Sequence, residues 1–273
     1  MTREEAVSIG VSFYTQTAGW FLTTALFVFA TRGHLIPVAD GREAYAGLVA
    51  LSAFALATLF VLLLAKVKAF IRVYSGLVYF ALIYGTFSLF SMIWPLPAAF
   101  MMIPLAASLL FFSPRVFSQN LVLALALAGV AAQFGSMISF PVAFGLLAIL
   151  AVYDIVAVNI THHMVAMAKT VISKHLPVVF VMPHRLTANF EHVARFEPGS
   201  SAVFLGGGDI ALPAILVATA PTTNLAAAVI VGTLAGFLVL VATFLSGKKQ
   251  HPLPALPFLM LGITVCTVLA VLF

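Results

Sequence analysis

Long apolar runs dominate the chain, separated by short polar stretches, and most are long enough to cross a bilayer as helices. A spanning helix needs about 20 mostly apolar residues. On that measure the pattern predicts nine spans, at 12–31, 45–65, 73–93, 97–112, 117–137, 141–161, 201–219, 224–246 and 254–273. The fourth is short, and Ser113-Pro114-Arg115 marks the turn that ends it. One stretch has a different pattern. Val178–Met182 is β-branched and aromatic and lies between Pro177 and Pro183, which predicts a short strand. The expected fold class is therefore an all-α polytopic membrane protein. It divides into a membrane part at 1–161, a basic connection at 162–200 and a second membrane part at 201–273, forming one integral unit.

Composition agrees. The chain of 273 residues is 63% hydrophobic and 8% charged, more apolar surface than a soluble domain of this size can hide. The net charge of +5 does not indicate a nucleic-acid partner, because the basic residues are scattered and follow membrane topology. With the N-terminus in the cytoplasm, eleven of the thirteen Lys and Arg fall in cytoplasmic segments, and only Arg32 and Arg42 lie outside. The positive-inside rule then predicts N-terminus in and C-terminus out. The first span does not read as a cleavable signal, since Glu4 and Glu5 follow Arg3. Cys266 is the one cysteine, so no internal disulfide forms. Five histidines in the connection (His162, His163, His175, His184 and His192) match no metal template. Neither a metal nor a cofactor is expected. The basic residues of the connection suit anionic lipid head groups.

Asp154 and Asp209 change the picture from a class to a chemistry. They are the two of eight acidic residues that fall inside apolar spans, where a carboxylate is costly and marks a functional site by default. Asp154 stands roughly 10 Å before the end of the sixth span and Asp209 roughly 12 Å into the seventh, at 1.5 Å per residue. Consecutive antiparallel spans then bring the two acids to matching depth on the cytoplasmic side. Gly206-Gly207-Gly208 directly precedes Asp209, and Pro213 follows one turn later. These residues loosen the helix and let another backbone approach. Pro252, Pro254 and Pro257 forbid regular helix before the last span, also at the cytoplasmic face. Gln16, Gln133, Asn159 and Asn224 read as helix-end or interhelical hydrogen bonders.

Tyr153-Asp154, Gly206-Gly207-Gly208-Asp209 and Pro254-Ala255-Leu256, on spans six, seven and nine, resemble the YD, GxGD and PAL motifs of the intramembrane aspartyl proteases. The whole chain is similar to a microbial homologue in the presenilin and signal peptide peptidase superfamily. Gly207 stands where that family usually has leucine or phenylalanine. The resemblance implies a protease of the cell membrane that hydrolyses peptide bonds within transmembrane helices of substrate proteins. Asp154 and Asp209 would be catalytic. Tyr153, the three glycines and the Pro254–Leu256 segment would shape the site or bind substrate. Tyr153 would either pack beside the pair or serve as an interfacial tyrosine. The inferred topology matches the presenilin branch and implies substrates with the N-terminus outside. Val178–Met182 and the PAL segment are expected to meet the backbone of an unwound substrate, the former by adding an edge strand. A proton- or sodium-coupled secondary transporter is the other function class compatible with paired intramembrane acids.

Overall fold

The computed structural model describes residues 3–34, 68–160, 168, 171–197, 201–246 and 253–273. The span expected at 45–65, His162, His163 and the Lys248-Lys249 turn lie outside the described residues. What is described is mostly helical. In chain order the helices are α1 (Arg3–Thr31), α2 (Lys68–Ile93), α3 (Leu96–Phe100), α4 (Met102–Phe111), α5 (Val116–Met137), α6 (Phe140–Asn159), α7 (Gly207–Thr219), α8 (Thr223–Ser246) and α9 (Leu256–Leu272). Among the described residues four stretches are long and apolar enough to cross a membrane: Ser75–Ile93 in α2, then α5, α6 and α8. Leu96–Phe111, α7 and α9 are shorter and apolar.

The fourth expected span is two helices, α3 and α4, broken at Met101. Pro104 has no N–H to offer the carbonyl four residues earlier, and its ring crowds that position, so the turn between them cannot be regular α-helix.

α5 is the centre of the bundle. It packs against α1, α2, α7 and a small sheet, and its small residues Ala124, Ala128, Ala131 and Ala132 are fully buried. α8 and α9 pack closely along their length. A Cβ added to Gly262 would lie 2.2 Å from the Gly232 carbonyl oxygen, so only glycine permits this approach. In a membrane, where lipid tails are as apolar as leucine, such close backbone packing holds helices together.

The described part of the connection between α6 and α7 packs on the bundle. Strand β1 (Val179–Pro183) pairs antiparallel with β2 (Ala202–Gly206), in the register Val179 with Gly206 through Pro183 with Ala202. Phe180, Met182 and Leu205 are buried in the main core of the bundle. Val181 faces the other way, into a small second core with Val116, Val193 and Phe196. The hairpin thus separates the membrane bundle from a cap built of the connection itself. Arg115 and His192 form an isolated bridge that seats this cap on the start of α5.

Candidate functional site

Asp154 sits on the inward side of α6 and is 5% exposed. Its carboxylate accepts a hydrogen bond from the backbone N–H of Leu256, with Oδ2 at 3.2 Å, and the Ala255 backbone amide also faces it. The sequence explains this donor. The proline run keeps the chain from becoming helical until Leu256, and Pro257 fits the first turn of α9, where its missing N–H costs nothing. The first N–H groups of a helix have no partner inside it, and the positive end of the helix dipole favours an anion there. The Pro254-Ala255-Leu256 segment therefore presents an unpaired donor at the site, and Asp154 takes it.

Asp209 is the third residue of α7 and partly exposed. The two carboxyls lie within coulombic range of each other, on helices that pack directly together. The Gly206 amide faces Asp209. Each preceding glycine has a different setting. At Gly206 a Cβ would come 3.3 Å from Asp209 Oδ2. At Gly207 it would press on the Val178 carbonyl oxygen at 3.0 Å, the same oxygen that accepts the Gly207 N–H at 3.1 Å. Gly208 has open space on its side-chain side. Pro213 stands four residues beyond Asp209, so the Asp209 carbonyl lacks its regular helical donor.

Three expectations need correction. The seventh span is not a helix from 201. Residues 202–206 are strand, and α7 begins at Gly207, because β1 supplies a partner for these backbone groups. The depth of Asp209 reckoned from helical rise therefore does not hold; its place is set by the hairpin. Second, β1 is not an open edge for substrate. Its outward carbonyls and the Val181 N–H are occupied by Gln119, Asn120, Ser12 and Gln16. The described sheet has two strands, so the edge without a third strand is that of β2. Third, Gln16 is not a bond between helices: its side-chain amide donates to the Pro183 carbonyl at 2.8 Å. Gln133 does bridge helices, donating to Ser88 of α2.

Tyr153 is 46% exposed on the outward side of α6, beside Val152. Of the named site residues, the structure gathers Asp154, Asp209, Gly206, Ala255 and Leu256. Sequence reasoning missed Gln119 and Asn120. The signal was there in Ser118-Gln119-Asn120, three consecutive polar residues opening an apolar span, all buried. Among the described residues no group of three His, Cys, Asp or Glu is placed to hold a metal.

A family profile described as signal-peptide peptidase, presenilin aspartyl protease matches residues 22–273. The chain belongs to this family of aspartyl proteases. No curated relative matches the sequence significantly. Two solved structures, each titled as a presenilin family intramembrane aspartate protease, are similar to this fold. One, in space group P2, has a TM-score of 0.64 at 23% identity and covers 94% of this chain and 96% of its own. The other, in C222, has a TM-score of 0.60 at 19% identity, covering 92% and 94%. This presenilin-family chain is thus a multi-pass membrane protein and an intramembrane aspartyl protease. Coupled transport by paired acids has no observation in its favour.

Proposed function

We propose that Asp154 and Asp209 are the catalytic pair of this protease. The observation that carries the reading is the convergence of two carboxyls from packed helices, one of them held by an N–H from the Pro254–Leu256 segment. Two adjacent carboxyls do not readily both ionise, so they share a proton. The ionised member takes a proton from water while the protonated one donates to the substrate carbonyl oxygen. The tetrahedral intermediate then collapses with protonation of the leaving nitrogen. No covalent enzyme intermediate is needed. Because the titration belongs to the pair, neither acid is assigned as base.

The substrate is a protein with a transmembrane helix. Its peptide bonds are shielded until the helix unwinds, and its freed backbone groups then need partners that lipid cannot give. β2 supports this role. Its pairing with β1 uses Val203 and Leu205, so by strand alternation Ala202 and Phe204 direct their N–H and C=O to the open edge. A substrate strand added there leads toward Asp209, three residues past the strand's end. We further read the chain as nine spans in the cell membrane, N-terminus in and C-terminus out, with 162–200 cytoplasmic. The eleven-to-two basic asymmetry supports this.

The test is cleavage of a single-span substrate by the purified chain, followed by mass spectrometry across pH. Cleavage should be bell-shaped in pH, since only the singly protonated pair works. Asp154→Asn and Asp209→Asn should each bring it below detection with the fold intact, as asparagine is near-isosteric but cannot share the proton. Full activity in either variant rejects the pair.

A further inference from the structure

Among the described residues β1 has one strand neighbour, yet its far edge is not bare. Five hydrogen bonds cover it, each between a side chain and the β1 backbone. Asn120 of α5 donates to the Val181 carbonyl at 2.8 Å and accepts the Val181 N–H at 3.1 Å. A strand residue exchanges both bonds with its partner in the same way. One step along, Gln119 donates to the Val179 carbonyl at 3.3 Å. One step the other way, Gln16 of α1 donates to the Pro183 carbonyl, and Ser12 reaches the same oxygen at 3.3 Å. Residues 179, 181 and 183 are the alternate positions whose backbone groups point away from β2. Side chains from two helices therefore occupy the places of a third strand.

One detail supports this reading. Asn120 satisfies both its oxygen and its nitrogen because Val181 offers an N–H as well as a carbonyl. Pro183 has no N–H, and Gln16 Oε1, opposite it, is a buried acceptor with no partner among the described residues. The orphan falls where a ladder would lack a rung.

We propose that Asn120 is a positioning residue that fixes the register of the hairpin, and through it the peptide bond at which a substrate is cut. This rests on the reading of β2 as the strand that receives substrate. β1 is locked to α5 by Asn120, β2 is locked to β1, and Asp209 follows β2 by three residues. A substrate strand laid on β2 thus inherits a register set by α5. Without Asn120, a slip of the hairpin by two residues keeps every side chain on its own face, whereas a slip of one turns them all over. Asn120 touches neither aspartate; it acts through the strands.

The experiment combines two readouts on Asn120→Ala in detergent. Hydrogen–deuterium exchange over 178–183 should quicken roughly tenfold, as a bonded amide is freed. Mass spectrometry of products from a single-span substrate should show new cleavage sites about two residues from the parent site. Binding of a small dyad-directed transition-state analogue should stay within about twofold, because the acids are untouched. Asn120→Asp keeps the acceptor for Val181 and loses the donor. It should show a smaller version of both effects, and it carries the test if the alanine variant fails to fold. Unchanged exchange overturns the proposal. Faster exchange with one product at the parent site also overturns it, as does loss of analogue binding in step with thermal stability, which marks a merely structural role. If the parent cleaves nothing, the protease reading fails first, while the exchange result still decides whether the side-chain ladder locks the strand.

Discussion

The two aspartates reach the same site by different means. Asp154 lies within an unbroken helix whose inward face is packed, and its hydrogen-bond partner comes from about a hundred residues away, at the start of α9. Asp209 lies in the first turn of a short helix, partly exposed, and its neighbours are local: a strand end and three glycines. Asp154 is therefore fixed by helix packing and by backbone amides at the distant start of α9. Asp209 is fixed by the hairpin in front of it. A perturbation of α9 acts on one half of the pair, and a perturbation of the strand–helix junction acts on the other.

The largest effect that separates the halves should come from the donor to Asp154. Leu256→Pro removes the N–H and should lower kcat by roughly a hundredfold, about the loss of one charge-assisted hydrogen bond at a buried acid. Leu256→Ala keeps the N–H and loses only packing, so it should cost much less. Equal losses in the two variants would mean that the side chain, not the amide, matters. Next is the junction. Gly206→Ala places a methyl against Asp209 Oδ2 at 3.3 Å and should reduce kcat roughly tenfold by turning that carboxylate. Gly208→Ala meets no neighbour and should stay within about threefold while raising thermal stability slightly, since alanine favours helix over glycine by about 1 kcal/mol. If Gly208→Ala is the more damaging, the open space beside it receives substrate. The smallest effect should be at the far end of α7. The Arg32 guanidinium donates to the Ala220 carbonyl and lies over the Phe29 ring at 5.4 Å. Arg32→Met should lower stability by about 1–3 kcal/mol, read as a fall in melting temperature, with the cleavage position unchanged.

The acids were legible in the sequence because a carboxylate inside an apolar run is rare and expensive. Asp154 and Asp209 stood out without any structural knowledge. The PAL segment was legible as a helix breaker, and its N–H donor follows from the same prolines. The strand at 202–206 was not. Ala-Val-Phe-Leu-Gly suits a buried strand and a membrane helix equally, and periodicity does not separate them in so short a run. What decides is β1, whose own strand pattern was visible but whose partner was not. Asn120 escaped notice because a polar residue at the start of a span normally faces the interface; its burial against Val181 comes from tertiary packing alone. The break at Met101 was half visible, in Pro104 and the shortness of the span.

The bond between Arg32 and Ala220 has a mechanical side. α7 is 13 residues long, roughly 20 Å. The hairpin grips one end, and an arginine fastened to a terminal carbonyl grips the other. A rod held at both ends resists sliding along its length, and α1, α5, α6 and α8 packed around it resist its rolling. α7 therefore works as a strut that keeps Asp209 at one height beside α6. Spin labels at one end of α7 and on α5 should keep a constant distance on inhibitor binding. A change in that distance would mean that α7 slides.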